Sequence, residues 1–486
     1  MVKRGIRWLV LLVTLALALG GCQAVGGVDL DKLLLNGVNQ TAYQAKQTIT
    51  IDLDLPNTGK EPFLEQLRSI QIDLTDIRAK DNNHMSARGS FQFGKGSVPF
   101  LLTLKDQVIL LQLEGMTRPL IIQNPSLDEL LAEDEELMGT FNPEMLQNLQ
   151  QELQETVLPY VIKHLPNPQR LTVDRATETV NGETLELWKV HAEITGTEIP
   201  ALIKAFVDGL LSDPEGMAAI ADVYVKAIFG MEASELFGMD VTPMMQMMLS
   251  ELSAELDALL ASEEVAFVFT DNNYIRADLY VDNNLDLRKS NIELAFDLPE
   301  TPSNADIKVA IATEIWNVGG NIVPEELSAD GAIDISAPDA DKQFILSLDR
   351  QSPLFHLLVN ELRINQKQIV MPVSPGLPES GEVRPFIDAA TSSTMVPVRY
   401  VTEELDAQVH WNGETRQVTI IDLWSGKTIV LTIDSNMAVV DGAQVELTAK
   451  AQLYNGTTYV PVRFIMEQFG TTVHWDQENW TVIISR

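Results

Sequence analysis

Apolar and polar residues alternate along much of the chain. Ile49, Ile51, Leu53 and Leu55 are separated by Thr50, Asp52 and Asp54, and Ile70, Ile72 and Leu74 by Gln71 and Asp73. A period of two puts one face of a strand in a core and the other in water. Further strand-like runs at Ser86–Phe93, Val98–Leu104 and Val108–Leu113 extend this into an antiparallel meander. The period then lengthens. Asn142-Pro143 has the form of an N-cap and first helical residue, and Met145, Leu146, Leu149, Leu153, Val157, Tyr160 and Val161 recur at helical spacing. Leu171–Val180 and Thr184–Ile194 flank Asn181-Gly182, a hairpin signal. Residues 198–262 suit helices, and strands are expected again at Val265–Thr270, Tyr274–Val281, Ile292–Leu298 and Ile307–Ile315.

This order of strands, helix, hairpin, helices and strands predicts an α+β fold with helices on one face of a central antiparallel sheet. The pattern over roughly residues 40–320 resembles exported lipoproteins whose half-barrel sheet carries helices over its concave side. That resemblance implies that the central antiparallel sheet is curved, with a lipid or other apolar ligand on the concave face. The methionines at 231–248 (Met231, Met239, Met244, Met245, Met247 and Met248) suit a loosely specified core, a lid over such a groove, or a soft-metal site.

The C-terminal part holds an internal repeat. Residues 396–420, VPVRYVTEELDAQVHWNGETRQVTI, align without a gap on 460–484, VPVRFIMEQFGTTVHWDQENWTVII, at an offset of 64. Val-Pro-Val-Arg, Glu403/Glu467, Val-His-Trp, Glu414/Glu478, Val418/Val482 and Ile420/Ile484 are identical, as expected for a duplicated structural unit. Each copy reads as a strand ending at proline, a short helix and a hairpin. Gly470 suits a left-handed helix cap, where the first copy has Asp406. His410 and His474 are expected to face outward beside core tryptophans Trp411 and Trp475. The doubled V-P-x-R-[FY] helix followed by V-x-W resembles the copper amine oxidase N-terminal-like, or stalk, domain. The resemblance implies a non-catalytic module with a structural or adhesive role. It places a small α+β domain at 360–486, with repeats at about 360–422 and 437–486. The first copy's early strands are interrupted by PVSPGLPESGEV at 372–383.

Composition narrows the function. The 34 Lys+Arg against 69 Asp+Glu give a net charge of −35, which disfavours nucleic acid, because phosphate binding needs a basic surface. The six histidines (His84, His164, His191, His356, His410 and His474) show no local metal-ligand spacing. No nucleophile elbow, P-loop, H-E-x-x-H or dinucleotide fingerprint is present. No catalytic residue, metal site or cofactor is therefore assigned, and the chain is expected not to be an enzyme.

The first residues supply the location. Lys3, Arg4 and Arg7 precede an apolar run from Trp8 to Leu19, too short for a spanning helix of about 20 residues. Leu19-Gly20-Gly21-Cys22 resembles the bacterial lipobox, and Cys22 is the chain's one cysteine. The expected organisation is a lipoprotein signal peptide at 1–21, a lipidated N-terminus and tether at 22–42, a central domain at 43–345, and the stalk domain. Cys22 would hold the protein on the extracytoplasmic face of a cell membrane, in a Gram-positive bacterium, within reach of cell-wall or envelope proteins.

Overall fold

The computed structural model describes residues 25–54, 68–94, 96–123, 152–229, 242–260, 262, 269–298, 305–379 and 381–486. The chain divides into two compact units, residues 1–113 with 119–330, and residues 114–118 with 331–486. The expected signal peptide, Cys22, and the helix start at Asn142-Pro143 lie outside the described residues.

The first unit is a continuous antiparallel sheet with helices. Its strands are β1 (Tyr43–Asp54), β2 (Ser69–Asp81), β3 (His84–Phe93), β4 (Gly96–Lys105), β5 (Val108–Leu113), β6 (Leu120–Gln123), β7 (Arg170–Val180), β8 (Glu183–Thr195), β9 (Tyr274–Val281), β10 (Leu287–Leu298) and β11 (Ala305–Trp316). They lie in the order β6-β5-β4-β3-β2-β1-β11-β10-β9-β8-β7. The meander and the hairpins therefore form as the alternation and turn residues predict. Asn181 and Gly182 both take positive φ, 48° and 83°, which matches the right-handed twist of the flanking strands.

Register separates the faces. Ile49 lies opposite Ile72 and Ile311, Ile72 opposite Phe91, and Ile311 opposite Ile292, so one face is apolar. Lys289 lies opposite Tyr280 and Glu314, and Glu314 opposite Lys46, so the other is charged. Gly89 sits beside the irregularity between Leu74 and Asp76, where a Cβ would overlap the Asp73 carbonyl oxygen. Only glycine admits that close approach.

The sheet rolls toward its charged face between β7 and β11. These strands are separated by three others, yet the Asn181 N–H donates to Glu314 Oε2 at 2.7 Å. Lys289 Nζ meanwhile reaches Glu178 Oε2 at 2.7 Å, passing over β8 and β9. Tyr280 is buried beneath this roll with Leu187 and Val180.

Helices α1 (Leu30–Asn39), α2 (Leu158–His164), α3 (Ile199–Leu211), α4 (Pro214–Phe229) and α5 (Thr242–Leu260) belong to this unit. Much of the expected tether is α1. The Asp29 carboxylate caps it by accepting from Lys32 N at 3.1 Å, and Leu30 and Leu33 pack with Val28 on Val190 and Val281. Those sheet residues lie on the apolar face, opposite the roll, whereas the half-barrel resemblance puts helices on the concave side. The helix expected through Val161 is continuous over its described residues 152–164 but not α-helical throughout. A π turn at Leu153–Val157 precedes α2, because Pro159 removes a backbone donor there. Asp213 joins α2 to α4: it accepts from Lys163 Nζ at 2.6 Å and from Gly216 N at 3.0 Å. Of the strand expected at Val265–Thr270, residues 263–268 lie outside the described residues, and Phe269 and Thr270 are bends.

The second unit is organised by the repeat. Strands Thr394–Pro397 and Thr457–Pro461 pair antiparallel, with Val396 opposite its own equivalent Val460. A residue that meets its equivalent lies next to a pseudo-twofold axis. On either side, helices Val398–Glu404 and Val462–Gln468 bury Val401 and Ile465. Each copy ends in a hairpin, Ala407–Asn412 with Gln417–Asp422 and Thr472–Asp476 with Thr481–Ser485. Val418, Ile420, Val482 and Ile484 from these hairpins enter one shared core. Gln368–Pro372 adds a strand to Thr481–Ser485, as Thr428–Thr432 does to Gln417–Asp422. The proline- and glycine-rich segment folds around Arg384, whose guanidinium donates to the carbonyls of Ser374, Gly376 and Leu377. Together the units give a mixed α+β protein with a curled half-barrel sheet and small C-terminal sheets.

Candidate functional site

The second copy's hairpin turn is built from its own side chains. Asp476 Oδ1 accepts from the N–H groups of Glu478 and Asn479 at 3.0 and 3.1 Å, and Oδ2 accepts from Asn479 Nδ2 at 2.8 Å. Donation by the Asn479 side chain, and then by its backbone, holds the Asp476 carboxyl below the usual carboxylate range, so it is ionised at neutral pH. Trp480 closes the turn at φ 52°. That left-handed conformation costs a non-glycine residue about 1–2 kcal/mol. In the first copy Asn412 Oδ1 does the same work, accepting from Glu414 and Thr415 N–H at 3.0 and 3.2 Å. Arg416, at φ 54°, takes the place of Trp480 and pairs with Asp434 at 2.9 Å.

The tryptophans of these hairpins are not core residues as expected. Trp411 is 43%, Trp475 36% and Trp480 45% exposed. They stand at the turn end of the hairpins, beyond the strand residues that reach the shared core. Trp475 and Trp480 meet edge to face, their centroids 5.9 Å apart and their planes at 78°. His410 and His474 do face outward. The paired indoles, with Asp476 and Glu478 in the turn between them, form an exposed aromatic corner beside negative charge. Sequence reasoning placed Trp411 and Trp475 in the core and did not single out Trp480.

A second concavity lies on the charged face of the first unit. Lys46, Thr48, Asp73, Gln92, Lys289 and Glu314 ring a groove of about 420 Å³. Its charges are internally matched. Lys46 meets Glu314 at 2.9 Å, and Asp73 accepts from Thr48, Gln71 and Gln92. Burial pushes the Glu314 carboxyl up, but the Asn181 N–H, Lys46 and Lys289 outweigh it and hold the group below its ordinary range. The Glu178 hydrogen bond raises the Lys289 ammonium. Such a network fixes the sheet's roll. Charged and amide side chains stand here where the half-barrel resemblance implies acyl chains.

Among the described residues, no group of three or more His, Cys, Asp or Glu is placed to hold a metal. The histidines of the first unit are each held by carboxylates: His84 by Asp81 and Asp106, His164 by Asp213, and His191 by Asp278. Of the methionine cluster, Met231 and Met239 lie outside the described residues, and Met247 on α5 is exposed. Cys22 also lies outside them. Among the described residues, no helix is long and apolar enough to cross a membrane.

The doubled strand–helix–hairpin unit defines the class of the C-terminal module. Residues 376–484 match the copper amine oxidase N-terminal domain. The match is to that enzyme's non-catalytic N-terminal domain, without its catalytic domain. No curated protein matches the chain.

Proposed function

We propose that the protein is an exported envelope lipoprotein, held on the extracytoplasmic membrane face by a diacylglyceryl group on Cys22. Its C-terminal unit is a non-catalytic contact module that engages the cell wall or an envelope protein. The observation that carries this reading is that Trp475 and Trp480 stand exposed and against one another on a unit whose core is formed without them. Exposed tryptophans are the side chains that most often anchor an interface, each worth about 2 kcal/mol or more on truncation. A full-length chain carrying Trp475→Ala and Trp480→Ala is therefore expected to bind isolated envelope material at least roughly thirtyfold more weakly in co-sedimentation. Binding equal to that of the unsubstituted protein would remove the contact role.

A second reading concerns the first unit, which would hold a lipid or another apolar ligand. It is favoured by the sheet's apolar face, where Phe91 and Phe100 stack at 4.4 Å and Ile49, Ile51 and Ile72 stay only half-buried. The ligand would then lie on the face that carries α1. Native mass spectrometry of the purified protein is expected to show an added lipid-sized mass that organic extraction removes. A bare polypeptide mass before and after extraction would reject this reading.

A further inference from the structure

We infer that the Trp475–Trp480 corner is a subsite for a quaternary ammonium group of the choline type. This deepens, and rests on, the reading of that hairpin as the module's contact surface.

The two copies provide an internal comparison. Both hairpins have the same turn, closed by a side-chain oxygen at the equivalent positions Asn412 and Asp476. Both place a non-glycine residue at positive φ four positions later. In the first copy that residue is Arg416, and its guanidinium is used structurally against Asp434. The second copy carries Trp480 at the same backbone strain, with its ring against another exposed ring. Folding of the turn requires no indole at the position of Trp480, since the first copy makes it with Arg416 there, beside Trp411, the equivalent of Trp475. The positive φ belongs to the turn, since Arg416 shares it; what the second copy adds is the exposed pair of rings.

The chemistry of the corner selects the ligand. The two indoles meet edge to face and are both exposed, so each leaves π-electron density open to solvent, which attracts a cation. Asp476 and Glu478 add negative charge in the turn, on a chain of net charge −35. The Asp476 oxygens already accept three hydrogen bonds within the turn. The site therefore offers charge and aromatic faces but little hydrogen-bond acceptance from that carboxylate. A primary ammonium needs acceptors for its three N–H donors, whereas a trimethylammonium needs none. A trimethylammonium therefore suits binding through the aromatic faces, and because the Glu478 carboxylate can accept from a primary ammonium, lysine amide is the discriminating control.

The test uses the full-length protein labelled with 5-fluorotryptophan, each ¹⁹F resonance being assigned by replacing one tryptophan at a time. Choline is expected to shift the Trp475 and Trp480 signals saturably at millimolar concentration. Its neutral isostere 3,3-dimethylbutan-1-ol and lysine amide should bind about tenfold more weakly. Trp480→Arg, which installs the first copy's residue at a φ that arginine already occupies there, should abolish the choline shift and leave in place the signals of the tryptophans outside the corner. Equal binding of the isostere would reduce the corner to an apolar contact, and equal binding of lysine amide would remove the preference for alkylation. No shift with choline would end the proposal. If choline fails while the Trp475→Ala, Trp480→Ala chain still loses envelope binding, this inference falls and the contact surface stands.

Discussion

An Arg486→Ala chain is expected to lose about 3–5 kcal/mol of stability in its C-terminal unit. Arg486 donates from Nη2 to both carboxylate oxygens of Asp422 at 2.8 Å and from Nη1 to the Leu405 carbonyl at 2.7 Å, and it lies over the Phe469 ring. The side chains are only 7% and 0% exposed. Removing the arginine leaves a buried carboxylate whose remaining donors are Ser425 and the local backbone. Domains of this size have about 5–15 kcal/mol in total, so the loss should lower the unit's melting transition by roughly 10 °C or more. Arg486→Lys should fall between, because a point ammonium cannot serve Asp422 and the Leu405 carbonyl together as the two Nη groups do. Replacing both partners by apolar residues, Asp422→Leu with Arg486→Met, should recover part of the loss, since no lone charge is then buried. Differential scanning calorimetry reads all three. A melting transition unmoved in Arg486→Ala would show the pair to be idle.

Cys22→Ser is expected to reduce incorporated palmitate label to background and to move the protein from the membrane fraction to the soluble one. Each buried methylene contributes about 0.8 kcal/mol, and one acyl chain holds only marginally, so the loss of a diacylated anchor should be near complete. Nothing in the charge balance compensates: a body of net charge −35 is repelled by anionic headgroups. Label incorporation equal to that of the unsubstituted chain would exclude lipidation at this position.

Much of the fold was legible as period and repeat. Alternation placed the strands because each has one wet and one dry face, and the Asn181-Gly182 turn placed a hairpin because few other residues tolerate two positive φ values. The curvature of the sheet was expected, but the contacts that fix it were not legible, since Glu178, Lys289 and Glu314 meet across strands far apart in sequence. The tryptophans misled for a geometric reason. Val409 and Trp411 share a face by alternation, as do Val473 and Trp475, but only the valines pack against the core. Period gives the face of a residue but not how far along the strand the cover extends. The buried ion pair, by contrast, had a sequence signal: Asp422 and Arg486 are equivalents at the same offset of 64, and they carry opposite charge. Two such positions on the pseudo-twofold axis meet, as Val396 and Val460 do.

The register of the outer strand bears on how the module would carry load. Gln368 lies opposite Ser485, and Pro372 opposite Thr481. Tension arriving along the chain ahead of Gln368 and leaving through a partner held at Trp480 would draw these antiparallel strands past one another. The ladder would then be strained in shear, its hydrogen bonds stretched together. The same pull applied through Arg486 would peel the ladder open one bond at a time from the Gln368–Ser485 end. A grip at the tryptophan turn would thus load this sheet in its mechanically stronger direction.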